Sequence, residues 1–147
     1  MELSVENLLK KSGWFHGRTI DVKEIRDMYD REGYIYNQLQ IEFMKEFAYI
    51  EINYQHPVWK QEVEFIINPI VAQESMDMDM VKEYEEFFGC QFLIIGEIER
   101  ENMTVFMDQS GELYGAFDDC VIKWGNDLHN MIYKLINGIK GELVIIE

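Results

Sequence analysis

Carboxylates are the reactive groups this sequence holds in excess. Residues 74–101 carry nine of them (Glu74, Asp77, Asp79, Glu83, Glu85, Glu86, Glu97, Glu99 and Glu101) against Lys82 and Arg100, a net of −7. Two more, Asp118 and Asp119, stand side by side further along. Such residues can bind a metal, transfer protons, or attract a positively charged macromolecule. Metal binding is poorly served. Asp77-x-Asp79 begins like a calcium loop but lacks the glycine and late glutamate that complete one. Proton transfer needs two carboxylates singled out by position, and here they are too abundant for spacing to single any out. His16, His56, His129, Cys90 and Cys120 lie far apart in the chain. There is no G-x-S-x-G, no Cys–His motif, no phosphate-cradling glycine loop and no dinucleotide fingerprint. The residues therefore point to no enzyme, no cofactor and no metal, and leave the electrostatic role standing.

The whole chain shares that charge. Twenty-eight acids face thirteen bases, a net of −15 over 147 residues. A surface of this sign repels phosphates, so no nucleic acid is expected as partner, and the natural macromolecular partner is basic. The charge is uneven: residues 1–31 hold six acids and six bases and sum to zero. A hydrophobic content of 48% is ample for a packed core, and the length suits one domain spanning residues 1–147. No apolar run approaches the roughly 20 residues of a membrane helix. The start, Met-Glu-Leu-Ser-Val-Glu-Asn, lacks a signal pattern, so a cytoplasmic protein with no membrane partner is expected. Two cysteines make no disulfide framework and read as buried free thiols.

Several elements must position these residues. Val5–Lys11 reads as a helix capped by Ser4 and stopped by Ser12-Gly13. Trp14 and Phe15 in the following loop read as lids over the core, and Arg18 as a partner for Asp21 or for buried carbonyls. Asp21 and Glu24 suggest a capping-box start for a helix running to about Glu32, ended by Gly33. Asn37 can cap a third helix whose Leu39, Phe43 and Phe47 recur on one side. Alternation over Ile50–Tyr54 and the run Glu62–Ile67 predict an antiparallel hairpin across His56-Pro57-Val58-Trp59, and Asn68-Pro69 breaks the second strand. Asp79 is placed to cap a helix from Met80 to Phe88, ended by Gly89. A strand over Phe92–Ile95 then leads into an acidic linker, Glu97–Asn102.

The stretch from Met103 to Gly138 organises the rest. It predicts three strands joined by turns at Gln109-Ser110-Gly111 and Asp118-Asp119, then a helix capped by Asp127. Phe106 and its neighbours Val105 and Met107 make the first strand apolar on both faces, which marks it as central. Leu128, Ile132, Leu135 and Ile136 line one face of the helix, and Gly138 stops it. Glu142–Glu147 reads as a terminal edge strand, able to pair within its own sheet or with another chain.

The ordered motifs carry a family resemblance. Ser12-Gly13-Trp14-Phe15-His16-Gly17-Arg18-Thr19-Ile20-Asp21 resembles the N-terminal signature of the third immunity family of the SUKH superfamily. The helix ending at Phe88-Gly89, Phe92–Glu97, Val105–Asp108, Gly111–Tyr114 and the closing Leu135–Gly138 are similar in the same order, so the resemblance spans about residues 7–138. Family members often carry a glycine-rich segment where this chain has Phe47-Ala48-Tyr49-Ile50. The resemblance implies an α+β fold, a curved and mainly antiparallel sheet with helices packed around it. It also implies a bacterial immunity protein that binds and neutralises the toxin domain of a polymorphic toxin, often a nuclease. The motif residues look structural: Gly13, Gly17 and Gly111 for backbone shape, Trp14 for packing, Arg18 and Asp21 for a cap or ion pair.

Charge and resemblance together mark a toxin-binding face at Glu74, Asp77, Asp79, Glu99, Glu101, Asp118 and Asp119, with Trp59 as an anchor. The expected partner is a cognate toxin domain, basic in character. Two other readings stay open: a non-enzymatic adaptor of the same superfamily, and a small-molecule-binding domain using the concave side of the sheet.

Overall fold

A computed structural model describes residues 3–99 and 102–146. The first three helices are α1 (Leu3–Lys11), α2 (Lys23–Glu32) and α3 (Gln38–Phe47). A hairpin of β1 (Ile50–Gln55) and β2 (Glu62–Ile67) follows, then α4 (Pro69–Gln73) and α5 (Met78–Phe88). The chain continues as β3 (Leu93–Glu99), β4 (Met103–Met107), β5 (Leu113–Phe117), β6 (Cys120–Gly125), α6 (Leu128–Asn137) and β7 (Glu142–Ile145). The strands form one open antiparallel sheet in the order β1-β2-β3-β4-β5-β6-β7. This is the expected α+β architecture, with irregularities in register that bend the sheet.

The meander sits where its pattern placed it. β4 is the fourth of seven strands, and Val105, Phe106 and Met107 are all buried. Phe106 and Tyr114 project from one face and are covered by α5, whose Tyr84 and Phe88 pack on them edge to face. Phe92 completes that cluster against both rings. α6 packs on the other face against β6, and α1 lies against α6. Trp14 is buried between Phe47 of α3 and His129 of α6. Phe15, the other expected lid, is instead exposed.

Local chemistry explains the element ends. Asn37 and Gln40 form a reciprocal capping box on α3. Asp108 accepts from the Ser110 and Glu112 amides, the Ser110 hydroxyl and the Tyr114 hydroxyl, holding the turn in which Gly111 takes a φ of 97°. Arg18 donates to the carbonyls of Glu46 and Ala48 rather than to Asp21. Asp21 accepts from the Lys23 amide beside the first turn of α2, whose N-cap position is Val22.

Several sequence expectations are corrected. Ser4 lies inside α1, not at its cap. On α3 the buried side is Gln40, Ile41, Met44 and Phe47, with Leu39 half exposed. The helix is turned by about one position because Gln40 is drawn inward to donate to the carbonyls of Met107 and Asp108. Asn68-Pro69 does not merely break a strand; Asn68 caps α4, with Pro69 at its first position. Asp77, not Asp79, caps α5, accepting from the Asp79 amide. The acidic linker is no linker: Glu97, Ile98 and Glu99 extend β3 and pair with β2 and β4. Cys90 and Cys120 are free and half-buried rather than fully buried.

Candidate functional site

Pairing between β2 and β3 builds the site. Glu64 stands directly opposite Glu99, and Ile66 opposite Glu97. Across the β1–β2 hairpin, Glu51 is opposite Ile66 and Asn53 opposite Glu64. Directly opposed residues share a face, so Glu51, Glu64, Glu97 and Glu99 all project from one side of the sheet. It is the side that carries Phe106 and Tyr114. α5 covers its β4–β6 half and α4 lies against β3, while on the β1–β3 half Glu51, Asn53 and Glu99 are exposed and Glu64 and Glu97 are half-buried.

A register shift in β3 makes this possible. Between Ile94 and Gly96 the pairing with β4 slips by one residue, with Ile94 opposite Phe106 and Gly96 opposite Val105. The slip lets Leu93, Ile94 and Ile95 all be buried, then turns Glu97 and Glu99 outward. Gly96 is required at the bend, because a Cβ there would lie 2.2 Å from the Ile66 carbonyl oxygen.

The electrostatics of the patch are one-sided. Burial raises the Glu64 pKa above the ordinary carboxylate value, and the charges of Glu51 and Glu99 raise it further. Burial does the same to Glu97, followed by Glu99 and Glu74. Every neighbour named in these shifts is another carboxylate. Ion pairs among the described residues fall elsewhere: on α1 with His16, on α2, on α3 and at the start of α6. A polar hollow of about 560 Å³ adjoins the patch, lined by Ser75, Glu97, Glu99, Asn102 and Thr104.

The sequence-predicted carboxylates among the described residues divide among three places. Glu99 and Glu74 belong to the patch. Asp118 and Asp119 form the β5–β6 turn, and their side chains are exposed. The backbone carbonyl of Asp118 accepts from the Tyr84 hydroxyl, and that of Asp119 from the Ile146 amide. Asp77 and Asp79 begin α5, where Asp77 acts as cap and both suit the positive end of the helix. Glu101 lies outside the described residues. The β1–β2, β3–β4 and β5–β6 connections emerge at the same end of the antiparallel sheet, so Trp59, Glu99, Asp118 and Asp119 all lie at that end.

Trp59 does not join the carboxylates on their face. It is 58% exposed, stacks on His56 with ring centroids 4.0 Å apart, and borders a groove of about 600 Å³. The groove is walled by Phe117, Ile122, Trp124 and Leu143, which project from the opposite face.

Sequence reasoning missed Glu51 and Glu64 and left Glu97 out of the site. The signal was partly present, since Glu51, Asn53 and Gln55 alternate with apolar residues, as Glu62 and Glu64 do. What was missing was the β2–β3 pairing, a contact between segments about thirty residues apart.

No described helix is long and apolar enough to cross a membrane, and no described group of histidines, cysteines and carboxylates is arranged to hold a metal ion. A search of curated proteins and a search of solved structures produced no match. The family model described as SUKH-3 immunity protein matches residues 1–138. With nearly the whole chain under that match, and the open α+β sheet it was expected to have, the chain belongs to the SUKH-3 immunity protein family.

Proposed function

We propose that the chain confers immunity by binding a cognate toxin domain directly, without bond-making chemistry of its own, in the cytoplasm of the cell that makes it. The contact surface is the carboxylate half of the sheet, Glu51, Glu64, Glu97 and Glu99 with Glu74, extended along the same end by Asp118 and Asp119. Asp77 and Asp79 add charge at the start of α5, Glu101 adds it in sequence, and Trp59 stands at the rim as an apolar anchor. The counterpart is a basic surface, such as the phosphate-holding cleft of a nuclease.

One observation carries this reading: Glu64 faces Glu99 across two paired strands. Like charges directly opposite each other destabilise a sheet. Burial and further carboxylates worsen the conflict at Glu64. A basic partner would relieve it on binding. Such a surface also steers an oppositely charged partner, raising association rates by about 10- to 1,000-fold. Blocking the cleft would at the same time exclude the nucleic acid.

Co-purification with the toxin encoded beside its gene tests the proposal. A stable complex and loss of toxin activity are expected. A neighbouring toxin that neither binds nor loses activity overturns it.

A further inference from the structure

The two edges of the sheet are guarded differently. β1, at one edge, turns Glu51, Asn53 and Gln55 to solvent, and charge and polarity of this kind block pairing with another chain. β7, at the other edge, is four residues, Glu142–Ile145, bonded among the described residues on one side only, to β6. Leu143 and Ile145 are each 55% exposed and project from the same face. No charge interrupts the strand between Glu142 and Glu147.

The backbone of β7 is also prepared for pairing. The Ile146 amide donates to the Asp119 carbonyl, toward β6. Alternation along an antiparallel ladder then turns the amides and carbonyls of Leu143 and Ile145 outward. These four groups form a short free edge among the described residues.

The surroundings specify what can cover it. The groove beside β7 is apolar, with Ile139 and Leu143 on its rim, and its charged lining residues are Lys134 and Lys140. Trp124 is buried in its wall, and its indole N–H has no acceptor among the described residues. An occupant that suits this edge is an apolar strand accompanied by carboxylates. A basic toxin surface does not fit that description. The sequence Glu142-Leu143-Val144-Ile145-Ile146-Glu147 does.

From this we infer that β7 pairs with β7 of a second copy, so that two sheets join edge to edge into one. In an antiparallel register centred on Val144, each Leu143 faces the other copy's Ile145. Both residues point their amides and carbonyls across the junction, so each pair exchanges two hydrogen bonds. Leu143 and Ile145 from both copies then share one face, and the two grooves run together. Glu142 faces Ile146 rather than another glutamate. The acidic patches, on the other face and nearer the far edges, remain free for a basic partner.

Sedimentation of the purified chain at micromolar concentrations tests the inference. The expected mass is twice 17.6 kDa, and the dimer should tighten with added salt, because each copy carries −15 and screening weakens their repulsion. Toxin binding through the acidic patch should weaken with salt, so the two associations respond in opposite senses. Leu143→Lys with Ile145→Lys should give a single chain of unchanged circular dichroism that still binds the toxin. Val144→Cys, at the non-bonded pair on the axis, should cross-link two copies on oxidation where the wild-type chain does not. A wild-type mass of one chain at high salt overturns the inference. So does a lysine variant that stays dimeric, or a Val144→Cys chain that never cross-links above the wild-type level.

Discussion

Helices α1 and α2 and the β1–β3 half of the sheet hold their charges in contrary ways. On the helices, acids sit one turn from bases: Lys10 with Glu6 at 3.2 Å, Lys23 with Asp27 at 2.7 Å. On β1–β3, among the described residues, the neighbours that shift the carboxylates are other carboxylates, and Glu64 stands opposite Glu99. The helical pairs are exposed and help the fold a little. The sheet carboxylates work against the fold. Local conflicts of this kind are expected at functional sites, which supports the proposed contact surface.

Reversing charge in the two regions should give the sharpest contrast. Glu64→Lys with Glu97→Lys and Glu99→Lys should slow toxin association by about 10- to 1,000-fold and remove its salt dependence. Exchanging Lys23 and Asp27 should leave the rate unchanged. Stopped-flow binding at two ionic strengths measures both. Equal effects would end the distinction between the regions. At the β5–β6 turn, Asp118→Asn with Asp119→Asn should lower the rate by a smaller factor; asparagine tolerates the φ of 51° at Asp118.

A second prediction concerns the bend that turns Glu97 and Glu99 outward. Gly96→Ala sets a Cβ 2.2 Å from a backbone oxygen that has no flexible side chain to move. Overpacking of this kind costs about 1–3 kcal/mol or more, read by urea unfolding. Patch-dependent binding should fall with it. Gly33→Ala, at the end of α2, meets no atom within 4 Å and suffers only the strain of its φ of 87°. Stability should fall there without any change in binding by the folded fraction.

The pH response of the two regions should differ in sign. Glu64 and Glu97 have pKa values raised above 4.5 in the folded protein. The folded state therefore binds those protons more tightly than the unfolded chain, and stability grows as pH falls from neutral through the raised values toward 4.5. Glu6 is lowered below 4.5, chiefly by His16 and then Lys10. Its contribution is present above 4.5 and lost as pH falls through the lowered value. Melting temperature should rise modestly on going from pH 7 toward the ordinary carboxylate value, then drop. Glu64→Gln with Glu97→Gln should raise it at pH 7 and flatten the rise. A steady decline from neutral pH downward would show that the patch carries no penalty.

The smallest effect is expected at Tyr49, between α3 and β1. Tyr49 has a φ of 69° and is 41% exposed. A left-handed conformation costs a non-glycine residue about 1–2 kcal/mol. Tyr49→Gly should therefore raise the melting temperature slightly, net of the contacts the ring gives up, and leave binding untouched.

The meander was legible because its signals are local. Residues apolar on both faces marked β4 as central, and Gln109-Ser110-Gly111, Asp118-Asp119 and Asp127 gave the turns and the cap without reference to distant residues. The β1 alternation was legible for the same reason. α3 was misread by one position because Gln40, polar by type, is buried through bonds to carbonyls more than sixty residues away. Helical period alone favours Leu39 and cannot see those acceptors.

By itself, then, the sequence determined the net charge, the excess of acids over bases, the α+β class and the family. Each of these follows from composition, short-range periodicity or an ordered set of motifs. Tertiary structure alone decided which carboxylates meet. Glu64 and Glu99 are 35 positions apart, and they become neighbours only because β2 pairs with β3 and a one-residue slip turns Glu97 and Glu99 to the same face as Glu64. Side-chain direction in a strand reverses at every residue, so no count of acidic residues could have told which side of the sheet would carry them.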